Sequence, residues 1–540
     1  MQKDETGGTI MKENKKKLSR RDFLKGTAAA ALSLSALPLL HVQASAASDD
    51  TISWDYEADV VVVGTGTVAV GAVAAVDSGA ESVIVLEKDK GFFGGTSATS
   101  GGGFAFPAFI DFLENKGGDT RETCLAYMKA CGEGRMDDRA MTTFVDVANE
   151  FANWFIQIMG WERFGYLTDM FDNYYPLYTN GTIPGRGCNM IYDKDGNRVT
   201  AFAIWSAIRA YLESHEQVTL MMGTAGQELI QNSEGRVIGI YADQDGKRLA
   251  IRAKKGVLLG TGGFDYNETM RRQYLPTPIF RSVASRNNTG DGQKMSARIG
   301  AQLAYMDRVM GAPYVYDEPE WNESNNTDYS IIKQDPRNYD FYTYYNMAHS
   351  MLVNRKGWRF GNENRHYDVT ARAFGGFDTG NLINGNLPGI FVCDSQVSVL
   401  PTGVDPAGEL PEYIFKFDSL EELADGMGVD RENLLMQVAR FNESVKNGED
   451  KDFARDAATL GTIEQAPFFA CRYVPGSMNT RGGLQVDENS QVVNQDNEAI
   501  PGLYAIGNCS TGVAGYWAGG ACISQGCVMA YVAAKAALKN

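Results

Sequence analysis

Residues 59–87 read DVVVVGTGTVAVGAVAAVDSGAESVIVLE, and this run constrains the fold more than any other. Four successive valines, Val60 to Val63, have the character of a strand buried on both faces. Gly64-x-Gly66-x-x-Ala69 follows at once and opens a helix of small residues. Gly64 permits a tight turn, Gly66 lets backbone approach a pyrophosphate, and Ala69 keeps the third position small enough for the helix to pack on the strand. A second apolar strand over residues 82–86 ends in Glu87, about 20 residues on, where a carboxylate accepts ribose hydroxyls. Strand, glycines, helix, strand and acid in this order predict a βαβ dinucleotide-binding unit and an enzyme that uses a nucleotide cofactor.

Ser19-Arg20-Arg21-Asp22-Phe23-Leu24-Lys25 follows a lysine-rich run and precedes an apolar, alanine-rich stretch from Ala28 to Leu40. That stretch is short for a bilayer span, and the whole resembles a twin-arginine export signal. Ala44-Ser45-Ala46 supplies small residues for cleavage, placing a signal at 1–46. Export implies a periplasmic or extracytoplasmic enzyme, with membrane association left open. Removing 1–46 leaves 42 Lys/Arg against 63 Asp/Glu, so the charge of −17 becomes −21. So acidic a chain is not expected to bind nucleic acid, and beyond the signal no apolar run of roughly 18 residues is present to span a membrane.

The eight cysteines form no CxxC pair and no CxxCH haem-attachment site. His215, His349 and His366 have no metal-ligand spacing, so no metal is expected. Redox chemistry falls to an organic cofactor. Glycine motifs recurring far down the chain point to FAD rather than a nicotinamide. Gly94, Gly95, Thr96, Ser97 and the run Gly101-Gly102-Gly103 follow Glu87-Lys88. Val257-Leu-Leu-Gly-Thr-Gly262-Gly263 is a buried strand ending in a turn, and Gly502-Leu-Tyr-Ala-Ile-Gly507-Asn508 is another.

With Asn288-Thr-Gly-Asp291-Gly292 and Val353-Asn-Arg-Lys-Gly-Trp-Arg-Phe-Gly-Asn-Glu363, these motifs resemble the fumarate reductase and 3-ketosteroid dehydrogenase superfamily of flavoproteins across nearly the whole chain after residue 55. The resemblance implies an α/β fold: a Rossmann-like FAD-binding domain of glutathione-reductase type, interrupted by a smaller α+β capping domain. It places the FAD domain at 55–311 and 466–540 and the cap at 312–465, with non-covalent FAD held by the residues above and by Ile523. Residues 120–160 and 420–446 carry helical spacing, while 311–345 reads as irregular.

The resemblance also separates two branches. Fumarate reductases need cations at three positions, matched here by Tyr367, Asn479 and Trp517. The ketosteroid branch has a tyrosine four residues after the Asn-Glu pair and a Y-x-G-x-G motif, matched by Tyr367 and by Tyr516-Trp517-Ala518-Gly519-Gly520. Trp517 in place of proline and Ala518 in place of glycine are departures, and a second upstream tyrosine has no evident match. By this resemblance, the Tyr516 hydroxyl and the Gly520 N–H bond a substrate carbonyl, and Tyr367 passes a proton. The expected substrate is a small apolar enone, a 3-oxosteroid or bile-acid-like ring acted on at Δ4 or Δ1, with reduction favoured and a separate electron carrier as partner. An α,β-unsaturated acid such as fumarate, urocanate or a phenylpropenoid is the alternative, and Arg481 is its one candidate charge. Cys509, Cys522, His349 and His366 read as packing residues, and Tyr339 to Tyr345 as a pocket lining or an aromatic core.

Overall fold

The computed structural model describes residues 52–136, 138–167, 173–330, 333–334, 347–512 and 517–539. The signal segment, Tyr516 and the aromatic run from Tyr339 to Tyr345 lie outside the described residues.

The valine run forms β1 (Tyr56–Val63), followed by α1 (Ala69–Asp77) and β2 (Val83–Glu87). β1 and β2 are parallel, Val60 opposite Val83 through Val63 opposite Leu86. Alanine, valine and glycine make α1 narrow, and eight of its nine residues are buried. Three amphipathic helices follow, α2 (Arg121–Cys131), α3 (Asp138–Met159) and α4 (Ala201–Glu213). The chain then adds β3 (Val218–Met222), β4 (Thr224–Gln231), β5 (Val237–Gln244), β6 (Lys247–Leu259) and the short helix α5 (Asp291–Ala297).

A second group comprises β7 (Val309–Val315), β8 (Ser350–Val353), α6 (Tyr367–Arg372), β9 (Gly389–Asp394), α7 (Leu420–Met427), α8 (Arg431–Asn447) and β10 (Phe468–Thr480). The chain closes with β11 (Ala499–Ala505) and α9 (Ala521–Lys539). In the first sheet, Gln491–Val493, β11, β6, β1, β2 and β3 lie side by side, and β4 and β5 extend from β6 as antiparallel strands. β11, β6, β1, β2 and β3 run parallel, so their carboxyl ends gather at one edge, the edge at which open α/β sheets bind ligands. Among the described residues α9 is the one helix long and apolar enough to cross a bilayer, and it lies instead in the core, most of its residues buried.

β10 organises the second sheet. Its first half pairs antiparallel with β9, and its second half pairs antiparallel with β7. Residues 309–315, part of which reads as irregular in the sequence, are therefore a strand. Pro313 lies opposite Pro475 in this register, so the pairing accommodates residues that cannot donate.

The hairpin motif has a structural task. The Arg359 guanidinium donates to Glu363 (Nε to Oε1 3.0 Å, Nη2 to Oε2 2.7 Å) and to both Asp450 oxygens at 3.1 Å. Glu363 also accepts from the Leu352 N–H at 3.0 Å, and Arg455 Nη1 lies 3.5 Å from its Oε2. All four charged side chains are at most 1% exposed. This cluster pins β8 to the chain entering α6, and thereby places Tyr367 four residues after Glu363. Removing one partner strands a buried charge, which costs about 3–5 kcal/mol. Arg359→Met is expected to lower the urea-unfolding free energy by that amount, whereas a change under about 1 kcal/mol, the range of exposed pairs, would show that the cluster does not hold the sheet.

Candidate active site

A groove enclosing about 990 Å³ of empty space, counted to its solvent mouth, runs along the carboxyl ends of β1, β2, β6 and β11. Gly64, Gly66, Glu87, Lys88, Gly95, Thr96, Ser97, Gly262, Asp291, Gly507 and Asn508 all line it. Ala69, Gly94, Gly102, Gly103, Gly263 and Ile523 do not. Ala69 is buried at the start of α1. Gly94, Gly102, Gly103 and Gly263 lie behind the wall, against Trp205, Ala201, Cys188 and Thr480 respectively. Ile523 sits in the first turn of α9, its N–H donating to the Gly520 carbonyl at 3.1 Å.

Gly64 has φ 102°, and a Cβ there would stand 2.4 Å from the Gly260 carbonyl oxygen. Only glycine allows the β1 and β6 turns to meet this closely. Thr65, between the fingerprint glycines, donates its hydroxyl to Glu87 Oε2 and accepts the Gly94 N–H at 2.9 Å. Glu87 Oε1 accepts from the Asp89 N–H at 2.8 Å. Burial raises the Glu87 carboxyl above its ordinary value, against these hydrogen bonds. At the same end Lys88 Nζ donates to the Asn287 carbonyl (2.7 Å), Thr289 Oγ1 (2.9 Å) and Asp291 Oδ2 (2.8 Å). Burial works against the Asp291 charge, but the bonds from Lys88 and Lys294 outweigh it and hold the carboxyl below the usual range.

The donor set fits a dinucleotide. A Cβ added at Gly95 would meet nothing within 4 Å, and one at Gly66 would meet only Ser97 Oγ at 3.3 Å and Gly94 O at 3.9 Å, so backbone forms the groove floor and a phosphate can approach it. No side chain caps α1 at Val68, which suits a helix start that meets an anion.

Tyr367 lies outside the groove lining, at the first position of α6, 9% exposed. Its hydroxyl is 3.2 Å from that of Tyr174. The Tyr174 N–H and the Tyr127 hydroxyl donate to the Trp517 carbonyl at 3.0 and 2.9 Å. The Cys188 N–H donates to Gly519 O at 2.9 Å, and Gly520, φ 89°, packs so tightly that a Cβ would be 2.5 Å from Gly103 O. A second path runs through Cys522, a groove residue. Its Sγ is 3.8 Å from Met310 Sδ and 3.9 Å from Asn479 Nδ2. The adjacent Gly311 N–H donates to Asp368 on α6 at 2.9 Å. Tyr367 is thus linked to the Trp517 backbone through Tyr174, and Asn479 to the strand beside α6 through Cys522 and Met310. His366 stacks on Tyr174 and is kept neutral by burial. Burial likewise pushes the Cys522 thiol up and the Cys509 thiol up to about 11.

Sequence reasoning missed Thr65, Trp205, Tyr174 and Asp265. Trp205 Nε1 donates to Gly66 O at 3.1 Å, and Asp265 is buried where the two sheets meet. Only Asp265 carried a signal, an acid two residues after a buried strand and glycine turn.

The family model described as FAD binding domain matches residues 59–523. The chain belongs to this family. A model of the TAT (twin-arginine translocation) pathway signal sequence matches residues 17–36, and the protein is exported by that route to the periplasm or extracytoplasmic space. The chain is 28% identical to 4-oxocyclohexanecarboxylate 2-dehydrogenase of Sinomonas cyclohexanicum, covering 88% of this chain and 92% of the relative. It is 27% identical to the acrylate reductase flavoprotein subunit of Shewanella woodyi, covering 97% and 99%. In fold it is similar to the crystal structure of 3-ketosteroid delta1-dehydrogenase from Sterolibacterium denitrificans in complex with 1,4-androstadiene-3,17-dione, with a TM-score of 0.76 at 23% identity over 90% of this chain and 100% of that one. The protein is an FAD-dependent oxidoreductase of the ketosteroid dehydrogenase and fumarate reductase family, acting on CH-CH groups.

Backbone strain of order 1–3 kcal/mol at a left-handed position corresponds to roughly a 5- to 150-fold weakening of whatever depends on that turn. Gly64→Ala is therefore expected to bind FAD at least about fivefold more weakly and to purify with less flavin than wild type at equal protein. A normal flavin-to-protein absorbance ratio would place FAD elsewhere.

Proposed function

We propose that the protein reduces the carbon–carbon double bond of a cyclic enone, a 3-oxosteroid or bile-acid-like ring, at Δ4 or Δ1. The observation that carries this reading is the buried Tyr174–Tyr367 hydroxyl pair, with Tyr367 on a helix whose neighbouring strand brings Met310 to the groove residue Cys522. The three positions where a dicarboxylate site needs cations hold tyrosine, asparagine and tryptophan. The relatives that act on a cyclic ketone and on a ketosteroid by name support the same class.

In this reading FAD lies in the groove, with Glu87 at its ribose end, Gly64, Gly66, Gly95, Thr96 and Ser97 along its phosphates, and Asn508 and Cys522 at its ring end. The bound flavin supplies hydride capacity for the carbon β to a carbonyl. Tyr367 holds the proton for the α carbon, a task easier for a phenol as acid than as base at neutral pH. Tyr174 orients that hydroxyl. The Gly520 N–H and Tyr516 bond the substrate oxygen, where one donor contributes about 3 kcal/mol to the developing charge. Residues 312–465 serve as the cap, and an apolar cluster from Met351 to Ala470 gives part of this segment a core of its own beside the one it shares with the first sheet. Electrons come from a separate carrier.

An α,β-unsaturated acid is the second reading. Arg481, lining the void that adjoins the groove at Gly507, Asn508 and Cys522, and the acrylate reductase relative favour it. Arg308 and Arg372 do not, since both are held by Glu133 and line a different cleft. The test is anaerobic: holoprotein reduced with dithionite is mixed separately with 3-oxo-Δ4- and Δ1-steroids, fumarate, urocanate and cinnamate, and flavin reoxidation is followed. The expected result is fast reoxidation by one steroid, slowed about 100-fold or more in Tyr367→Phe with flavin content unchanged. Reoxidation by an acid alone would overturn the enone reading.

A further inference from the structure

The groove has a direction. Glu87 and Lys88 close the end that the fingerprint assigns to adenosine ribose, and Gly507, Asn508 and Cys522 close the other, which leaves that end for the redox-active ring. A second void of about 410 Å³ shares Gly507, Asn508 and Cys522 with the groove and is also lined by Arg481, Gly512 and Gln525. Among the described residues lining groove and void, Lys88 and Arg481 are the two cations, one at each end.

Arg481 is 8% exposed, in the Thr480-Arg481-Gly482-Gly483 turn after β10. Its backbone N–H donates to Arg308 O at 2.9 Å, and its Nη2 donates to Gln525 Oε1 on α9 at 3.1 Å. Gly512 approaches so closely that a Cβ there would stand 3.0 Å from that nitrogen. Gln525 is 3% exposed and its Nε2 has no hydrogen-bond partner. A buried donor left unsatisfied is costly, and its presence in the wall of this void marks a place for an acceptor from a ligand. The Arg481 charge reaches the shared residue, drawing the Cys522 thiol down against the larger effect of burial.

We propose that Arg481, held by Gln525, sets the reduction potential of the bound flavin. Taking up two electrons and one proton leaves the flavin ring with one more negative charge. A fixed guanidinium and an amide donor at the ring end stabilise that charge in a site shielded from water, so they favour the reduced cofactor. This function is independent of which enone or acid is the substrate, and it rests on the placement of FAD in the groove.

The test is an anaerobic dithionite titration of the holoprotein, without substrate, against a redox dye of known potential. At fixed dye potential Arg481→Met is expected to shift the reduced-to-oxidised flavin ratio at least tenfold toward oxidised, about 30 mV for a two-electron couple. Arg481→Lys, which retains charge, is expected to shift it less, and Gln525→Leu to shift it in the same direction as Arg481→Met. Loss of a merely structural residue would lower flavin content or stability while leaving the potential of the remaining flavin unchanged. A flavin-replete Arg481→Met at the wild-type potential overturns the proposal. If that variant fails to retain flavin, an unchanged potential in Gln525→Leu overturns it. Failure of the FAD placement itself appears separately, as normal flavin content in Gly64→Ala.

Discussion

The fully buried carboxylate of Asp265 is the interaction on which the site depends. It accepts from Ser477 Oγ at 2.7 Å, from the Thr480 N–H at 3.1 Å and hydroxyl at 3.2 Å, from Ser282 Oγ at 3.4 Å and from Asn288 Nδ2 at 3.5 Å. These donors come from the end of β10, the strand beside it and the turn before α5, while Asp265 itself follows the β6 turn of the first sheet. A buried charge is tolerated only when its hydrogen bonds are made, so the arrangement ties both sheets to one geometry. Gly263 makes it possible, because a Cβ there would stand 2.1 Å from Thr480 Oγ1.

From that junction the chemistry divides by element. The parallel sheet supplies the groove, with its polar backbone floor and Lys88 at the ribose end, while Arg481, from the turn after β10, lines the void that adjoins the other end. The second sheet supplies β7 and α6, which bring Met310, Asp368 and Tyr367 toward Cys522. The Arg359–Glu363–Asp450 cluster fixes the start of α6 from the far side. Tyr174 arrives from a segment 193 residues earlier in the chain, held through the Trp517 carbonyl. The Tyr367 hydroxyl is thereby met by Tyr174 from a loop on one side while α6 carries it on the other.

The sequence was most legible where chemistry is local. The residues from Asp59 to Glu87 revealed β1, α1 and β2 because strand burial, glycine spacing and the terminal acid all occur within one unit. The helices over 120–160 and 420–446 were legible from periodicity. Thr65 was not, since nothing in a threonine between two glycines announces a hydrogen bond to an acid 22 residues on. Tyr174 was equally silent, because its role exists only where its hydroxyl meets Tyr367. The glycines Gly94, Gly102, Gly103 and Gly263, whose spacing reads as cofactor contact, stand where an added Cβ would meet Trp205, Ala201, Cys188 and Thr480. The strand β7 was obscured by Pro313, whose partner Pro475 lies 162 positions away in the sequence.

The most direct measurement is a crystal structure of the oxidised holoprotein with a 3-oxosteroid that it cannot turn over. The account predicts the flavin ring between Asn508 and Cys522, with the steroid A-ring stacked on it and its α carbon facing the Tyr367 hydroxyl at hydrogen-bonding range. A steroid bound away from Tyr367, or a flavin ring at the Glu87 end of the groove, would contradict it.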